Sequence, residues 1–96
     1  MLTRYFVCYD IRDTKRLRRV HKTMRGYGVG VQFSVVRCDL SLREKAQLIA
    51  DLTDLIDHCV DKVLIVNLGP ADGRGAEVVE SLGVPYQVPP RFAVIV

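Results

Sequence analysis

Arg4-Tyr-Phe-Val-Cys-Tyr-Asp-Ile11 is the stretch that decides the fold. Aromatic and β-branched residues dominate it and it is apolar on both faces, the pattern of a strand buried within a sheet. Asp10 breaks the pattern. A carboxylate near the end of an apolar strand is expected to be hydrogen-bonded, paired or bound to a cation, because an unpaired buried charge is strongly destabilising. Its plainest role would be to cap the turn into the next helix. The residues that follow weigh against that role alone. Asp10-Ile-Arg-Asp-Thr-Lys-Arg-Leu-Arg-Arg19 sets the carboxylate directly before the most basic segment of the chain. An acidic group beside a basic helix points to a metal, a phosphate, or both.

The net charge of +3 is modest, but its distribution is not. Arg12, Lys15, Arg16, Arg18, Arg19, Lys22 and Arg25 are half of the 14 basic residues, and the only acid among them is Asp13. Glu44, Asp51, Asp54, Asp57 and Asp61 gather later, so a basic side and an acidic side are expected. With 49% apolar and 26% charged residues the 96-residue chain has the makeup of one globular domain, which excludes wholesale disorder. It contains no apolar run long enough to span a membrane and no signal-peptide pattern, so a cytoplasmic protein is expected. Cys8, Cys38 and Cys59 form no C-x-x-C pair and read as reduced core thiols rather than as a disulfide framework or a zinc site.

Asp13 is a good N-cap for a helix reaching Arg25, with Gly26 and Gly28 to end it. On that helix Leu17, Val20, Met24 and Tyr27 fall on one side, and Lys15, Arg18, Arg19, Lys22 and Arg25 on the other. Arg16 lies on one flank. His21 lies on the other and lacks a ligand partner at i+4, so it reads as a boundary residue. Val29 to Leu40 is rich in strand formers but too interrupted for one simple strand. Two strands meeting near Gln32 to Ser34, or one bulged strand, would fit it. Ser41-Leu-Arg-Glu44 is a capping box opening a second helix, whose apolar stripe is Leu48, Ile49, Leu52, Leu55 and Ile56. Lys45, Asp51 and Asp54 take its outside as solvated polar residues. Asp61-Lys-Val-Leu-Ile-Val-Asn-Leu68 reads as another interior strand.

This order is βαββαβ, an α+β ferredoxin-like arrangement over residues 1–68 in which two helices cover one face of an antiparallel sheet. The second face is apolar too. With no further domain to cover it, a homodimer packed sheet to sheet is expected. Residues 69–96 form a C-terminal extension. Gly69-Pro-Ala-Asp-Gly-Arg-Gly75 reads as a surface loop, since it lacks the lysine and following Ser/Thr of a phosphate-binding loop. Ala76 to Leu82 is ambiguous between helix and strand. After Pro85, Pro89 and Pro90 the apolar tail Phe92-Ala-Val-Ile-Val96 is expected to add to a sheet edge, its own or its partner's.

Tyr9-Asp10-Ile11, Asp13, the basic run Lys15 to Arg19, Gly26-Tyr-Gly28, Val31-Gln32-x-Ser34-Val35 and Cys38-Asp-Leu40 before a capped helix together resemble CRISPR-associated protein 2. The match runs over roughly residues 3 to 68 in the family's order and spacing. The resemblance implies a homodimer that works with the integrase CRISPR-associated protein 1 in spacer acquisition, and a magnesium-dependent endonuclease. It also implies that Asp10 and its symmetry mate share a Mg2+ near the dimer axis, and that C-terminal strands pair across the dimer, which tips Ala76 to Leu82 toward strand. A cation between two carboxylates relieves their repulsion and can activate water at a phosphodiester. The chain departs from the family at Gly30, where members often carry arginine, and at Val36, where they often carry phenylalanine. Neither His21 nor His58 is placed near Asp10 as a general base.

Two functions therefore compete. In the first, Arg12, Lys15, Arg16, Arg18, Arg19 and Lys22 hold duplex DNA by its backbone on a dimer that bridges integrase subunits, and Asp10 is structural or vestigial. In the second, Asp10 and its mate make a toxin-like metal-dependent ribonuclease that acts on single-stranded RNA independently of integration. A regulatory dimer binding a small ligand leaves seven cations on one short segment without a role.

Overall fold

The computed structural model describes residues 1–84; the proline-rich segment from Pro85 and the tail Phe92 to Val96 lie outside the described residues. The order is β1 (Thr3–Asp10), α1 (Thr14–Arg25), β2 (Val29–Gln32), β3 (Val35–Leu40), α2 (Leu42–Leu55), β4 (Lys62–Pro70) and a 3-10 turn, Arg74–Ala76. The strands form one antiparallel sheet in the order β2-β3-β1-β4, the ferredoxin-like topology read from the sequence. Among the described residues, no helix is long and apolar enough to cross a membrane.

Local chemistry sets both helices. The Asp13 carboxylate accepts from the Arg16 amide, and Gly26 ends α1 at the expected residue. In α2 the Ser41 hydroxyl accepts from the Glu44 amide while the Glu44 carboxylate accepts from the Ser41 amide, closing the capping box. The helix-side face of the sheet carries Tyr5, Val7, Tyr9, Val36, Cys38 and Leu40, buried against Val20 and Met24 of α1 and Leu48 and Leu52 of α2. Gly28 is required where the chain turns out of α1, because a Cβ there would stand 2.0 Å from the Arg37 carbonyl oxygen.

Several expectations are corrected. β4 is an edge strand among the described residues, not an interior one, because β1 already has β3 on its other side. Its alternation of half-buried Val63 and Ile65 with exposed Leu64 and Val66 reflects cover on one face only. Ala76 to Leu82 forms no strand. The 3-10 turn ends at Ala76 and the residues after it have no regular structure up to Val84. Of Gly69 to Gly75, Gly69 and Pro70 still belong to β4 and only the residues after them turn, packing down on the sheet: the Ala71 amide donates to the Leu2 carbonyl, and Gly75 is buried with its carbonyl accepting from Arg4.

On α2, Ile49 leaves the apolar stripe and is 43% exposed, while Leu48 and Leu52 are buried and Leu55 and Ile56 pack half-buried against the core. Asp51 is half-buried and accepts from the Tyr27 hydroxyl and the Gln47 amide, so it ties α2 to the end of α1 rather than being simply solvated. Lys45 lies half-buried with its ammonium 5.0 Å from the centre of the Tyr5 ring. All three cysteines are free, yet only Cys38 is a core thiol; Cys8 is half-buried and Cys59 exposed.

Candidate functional site

Asp10 is the last residue of β1 and sits with Phe6 and Cys8 on the face turned away from the helices. Its side chain is 64% exposed, so the expectation of a buried carboxylate fails for the single chain: Asp10 ends the strand on the face that neither helix covers. The nearest cation is the Arg12 guanidinium at 4.0 Å, itself 68% exposed, and the register partner of Asp10 on β4 is Lys62. Exposed ion pairs of this kind hold little energy. Asp10 is therefore available to a ligand.

An open cleft of about 220 Å³ runs from Asp10 along this face, lined by Cys8, Phe33, Val35, Lys62 and Leu64 among others. Phe33 stands at the tip of the β2–β3 hairpin and is 85% exposed, and the next residue, Ser34, takes φ 66°, the left-handed conformation that closes a tight turn. Leu64 at 56% and Val66 at 44% continue the apolar surface. The uncovered apolar face expected from the topology exists and ends at Asp10.

The other end of the same face is polar and covered. Arg4 donates to both oxygens of Asp39, from Nε at 2.9 Å and Nη2 at 3.2 Å, and Arg37 Nη2 donates to Asp39 at 2.9 Å. The side chains of Arg37 and Asp39 are almost fully buried, and Arg37 Nε finds no partner. This cluster was missed in the sequence because Arg37 and Asp39 lie in an apolar run. Their spacing of two on a strand was the available signal for a shared face.

The basic segment divides. Lys15, Arg18, Arg19 and Lys22 are exposed along α1, as its periodicity requires, and Arg12 is exposed in the turn before it. Arg16 is not free. Its Nε donates to Asp61 at 2.8 Å and its Nη2 at 3.3 Å, and Asp61, with no exposed side-chain surface, also accepts from the amides of Arg12 and Asp57 at 2.9 and 2.8 Å. The Arg16 guanidinium holds the Asp61 carboxyl far below the usual carboxylate range, helped by those two amides and opposed by desolvation. Sequence reasoning placed Asp61 at the start of a strand and gave it no role. His21 lies on the helix side, with its Nδ1 2.8 Å from the Tyr9 hydroxyl, and His58 Nε2 is 2.9 Å from the Thr53 carbonyl oxygen. Neither serves Asp10.

A family model described as CRISPR associated protein Cas2 matches residues 1–73. The chain belongs to the Cas2 family. It is 45% identical over 92 residues to a Rhodospirillum rubrum protein named CRISPR-associated endoribonuclease Cas2 1, covering 96% of this chain and 89% of that one. It is 40% identical to CRISPR-associated endoribonuclease Cas2 of Geobacter sulfurreducens, over 96% of each chain. Among solved structures, Streptococcus pyogenes Cas2 at pH 6.5 superposes with a TM-score of 0.71 at 33% identity, covering 83% of this chain and 99% of that one. A hypothetical protein from Thermus thermophilus, TT1823, reaches a TM-score of 0.77 at 31% identity over 88% and 94% of the two chains. For a Cas2 family member the two departures are benign to the fold. A Cβ on Gly30 would meet nothing within 4 Å, and Val36 is buried on the core face opposite Val7.

Among the described residues, no three His, Cys, Asp or Glu side chains are grouped so as to hold a metal ion. Mg2+ takes one or two protein carboxylates and completes its shell with water and phosphate oxygens, so an exposed Asp10 carboxylate, alone or beside a second one, is chemically compatible with it.

Proposed function

We propose that this chain acts as a homodimer closed through the apolar end of its open sheet face, holding nucleic acid by its backbone on α1 and scaffolding the CRISPR-associated protein 1 integrase in spacer acquisition. Asp10 of each protomer is its metal-dependent endonuclease site. The observation that carries the reading is the position of Asp10 at the rim of an uncovered apolar face. Pairing two such faces about a two-fold axis brings the two carboxylates toward each other and removes Leu64, Val66 and Phe33 from water. In this arrangement Asp10 and its mate would hold Mg2+, which supplies Lewis-acid polarisation of a phosphodiester and an activated water. Arg12, Lys15, Arg18, Arg19 and Lys22 contact phosphates and position the strand without reading bases. Arg16 drops out of that set because its guanidinium is already engaged by Asp61.

A second reading, a toxin-like ribonuclease acting on single-stranded RNA apart from integration, is favoured by the naming of the relatives as endoribonucleases. One experiment separates them: labelled duplex DNA and single-stranded RNA are incubated with wild type, Asp10→Ala and Arg18→Glu/Arg19→Glu, with Mg2+ and with chelator, beside binding titrations. Metal-dependent cleavage lost in Asp10→Ala, with binding intact, assigns the nuclease to Asp10, and RNA as its preferred substrate favours the second reading. Salt-sensitive duplex binding lost in the Arg18/Arg19 variant, with no cleavage by any protein, leaves the scaffold alone. Unchanged binding by that variant would sink the role given to α1.

A further inference from the structure

We infer that Asp61 is a positioning residue for the Asp10 end of the site, fixing the turn that presents Asp10 and Arg12 and withdrawing Arg16 from phosphate contact. Three elements converge on its carboxylate. From the turn between β1 and α1 comes the Arg12 amide at 2.9 Å; from α1, the Arg16 guanidinium at 2.8 and 3.3 Å; from the segment between α2 and β4, the Asp57 amide at 2.8 Å. The side chain has no solvent-exposed surface, so these four donors replace its hydration entirely. Asp61 immediately precedes Lys62, whose strand pairs with β1 up to Asp10, so the carboxylate is held on a rigid part of the sheet.

The consequence is local. Two residues beyond Asp10, the backbone is tied at Arg12, and one residue beyond that tie the Asp13 carboxylate caps the Arg16 amide. The chain between the catalytic strand and the basic helix is thus pinned from both sides. Asp61 takes only the amide of Arg12 and leaves its guanidinium exposed, in no more than a loose 4.0 Å pairing with Asp10, whereas Arg16 spends its guanidinium on the same carboxylate. Arg16 and Arg18 lie two residues apart on one helix, yet one is a structural cation and the other a phosphate ligand.

The test uses the intact chain and three variants. By amide hydrogen exchange, Asp61→Asn should speed exchange at Arg12 and Asp57 by about tenfold while Val7 and Val36 keep their protection. Unchanged exchange at Arg12 would overturn the inference. So would equal loss of protection at Val7 and Val36, since Asp61 would then be a general stability residue. In duplex DNA titrations over a range of salt, Arg18→Gln should reduce the salt slope by about 0.9, the loss of one phosphate contact, and Arg16→Gln should leave it at the wild-type value. An equal reduction for Arg16→Gln would overturn the withdrawal of Arg16. The titration rests on the nucleic-acid reading proposed above. A wild type that binds no duplex defeats that reading, and the exchange result then decides the positioning role alone.

Discussion

The two ends of the open sheet face solve the same problem in opposite ways. Both belong to β1 and its neighbours, and both lie opposite the helices. At the Thr3 end the strands carry Arg4, Arg37 and Asp39, and the packed turn from Ala71 to Gly75 lies against them, its Gly75 carbonyl accepting from Arg4. At the Asp10 end they carry Cys8, Val35 and Leu64, and no described element covers them. Charge, which is costly to bury, is enclosed within the chain by mutual pairing; apolar surface, which is costly to expose, is left uncovered by any described element. The chain thus completes its own polar half and leaves its apolar half incomplete.

The sharpest way to break this contrast is at Asp39. Asp39→Ala would leave Arg4 and Arg37 without their shared carboxylate, and the expected loss is about 3–5 kcal/mol in a denaturant titration, as for a buried pair stripped of one partner. A loss under about 1 kcal/mol, the scale of an exposed pair, would mean that the covered end is wet and the contrast false. Leu64→Asp tests the other end. It should leave the midpoint of monomer unfolding nearly unchanged, because Leu64 is already exposed in the single chain, while shifting sedimentation from dimer to monomer with a dissociation constant raised about 100-fold or more. Large monomer destabilisation with the dimer intact would place the interface elsewhere.

The smallest effect is read from the thiols. Burial pushes the Cys38 thiol up to about 12, with the Asp39 charge adding to the rise, so at pH 8 it is both protonated and enclosed. It should alkylate only when the chain unfolds, after exposed Cys59 has reacted at once. Cys8, half-buried beside the cleft, should react at a rate that falls as protein concentration rises and the dimer forms. A concentration-independent Cys8 rate would argue against an interface over the cleft.

Much of this was legible in the chain. The Asp13 cap, the Ser41 to Glu44 capping box, the end of α1 before Gly26, the hairpin at Gln32 to Ser34 and the split of α1 into core and basic sides are all local, each set by residues within a few positions of one another. What was illegible crosses the chain. Nothing in the neighbourhood of Asp61 points to Arg16, 45 residues away, and nothing near Asp39 points to Arg4, 35 residues away. The basic run showed where positive charge would gather, but not that one member would be neutralised.

The sequence by itself therefore determined the elements, their order, the ferredoxin-like topology and the concentration of charge on one helix, because period, capping and turn chemistry act over a few residues. Only the tertiary structure decided which cations stay exposed and, among the described residues, that Asp10 stands at the rim of a bare apolar face and that β4 is an edge. Those facts depend on strand register and on what covers each face, which are set by contacts between residues far apart in the chain.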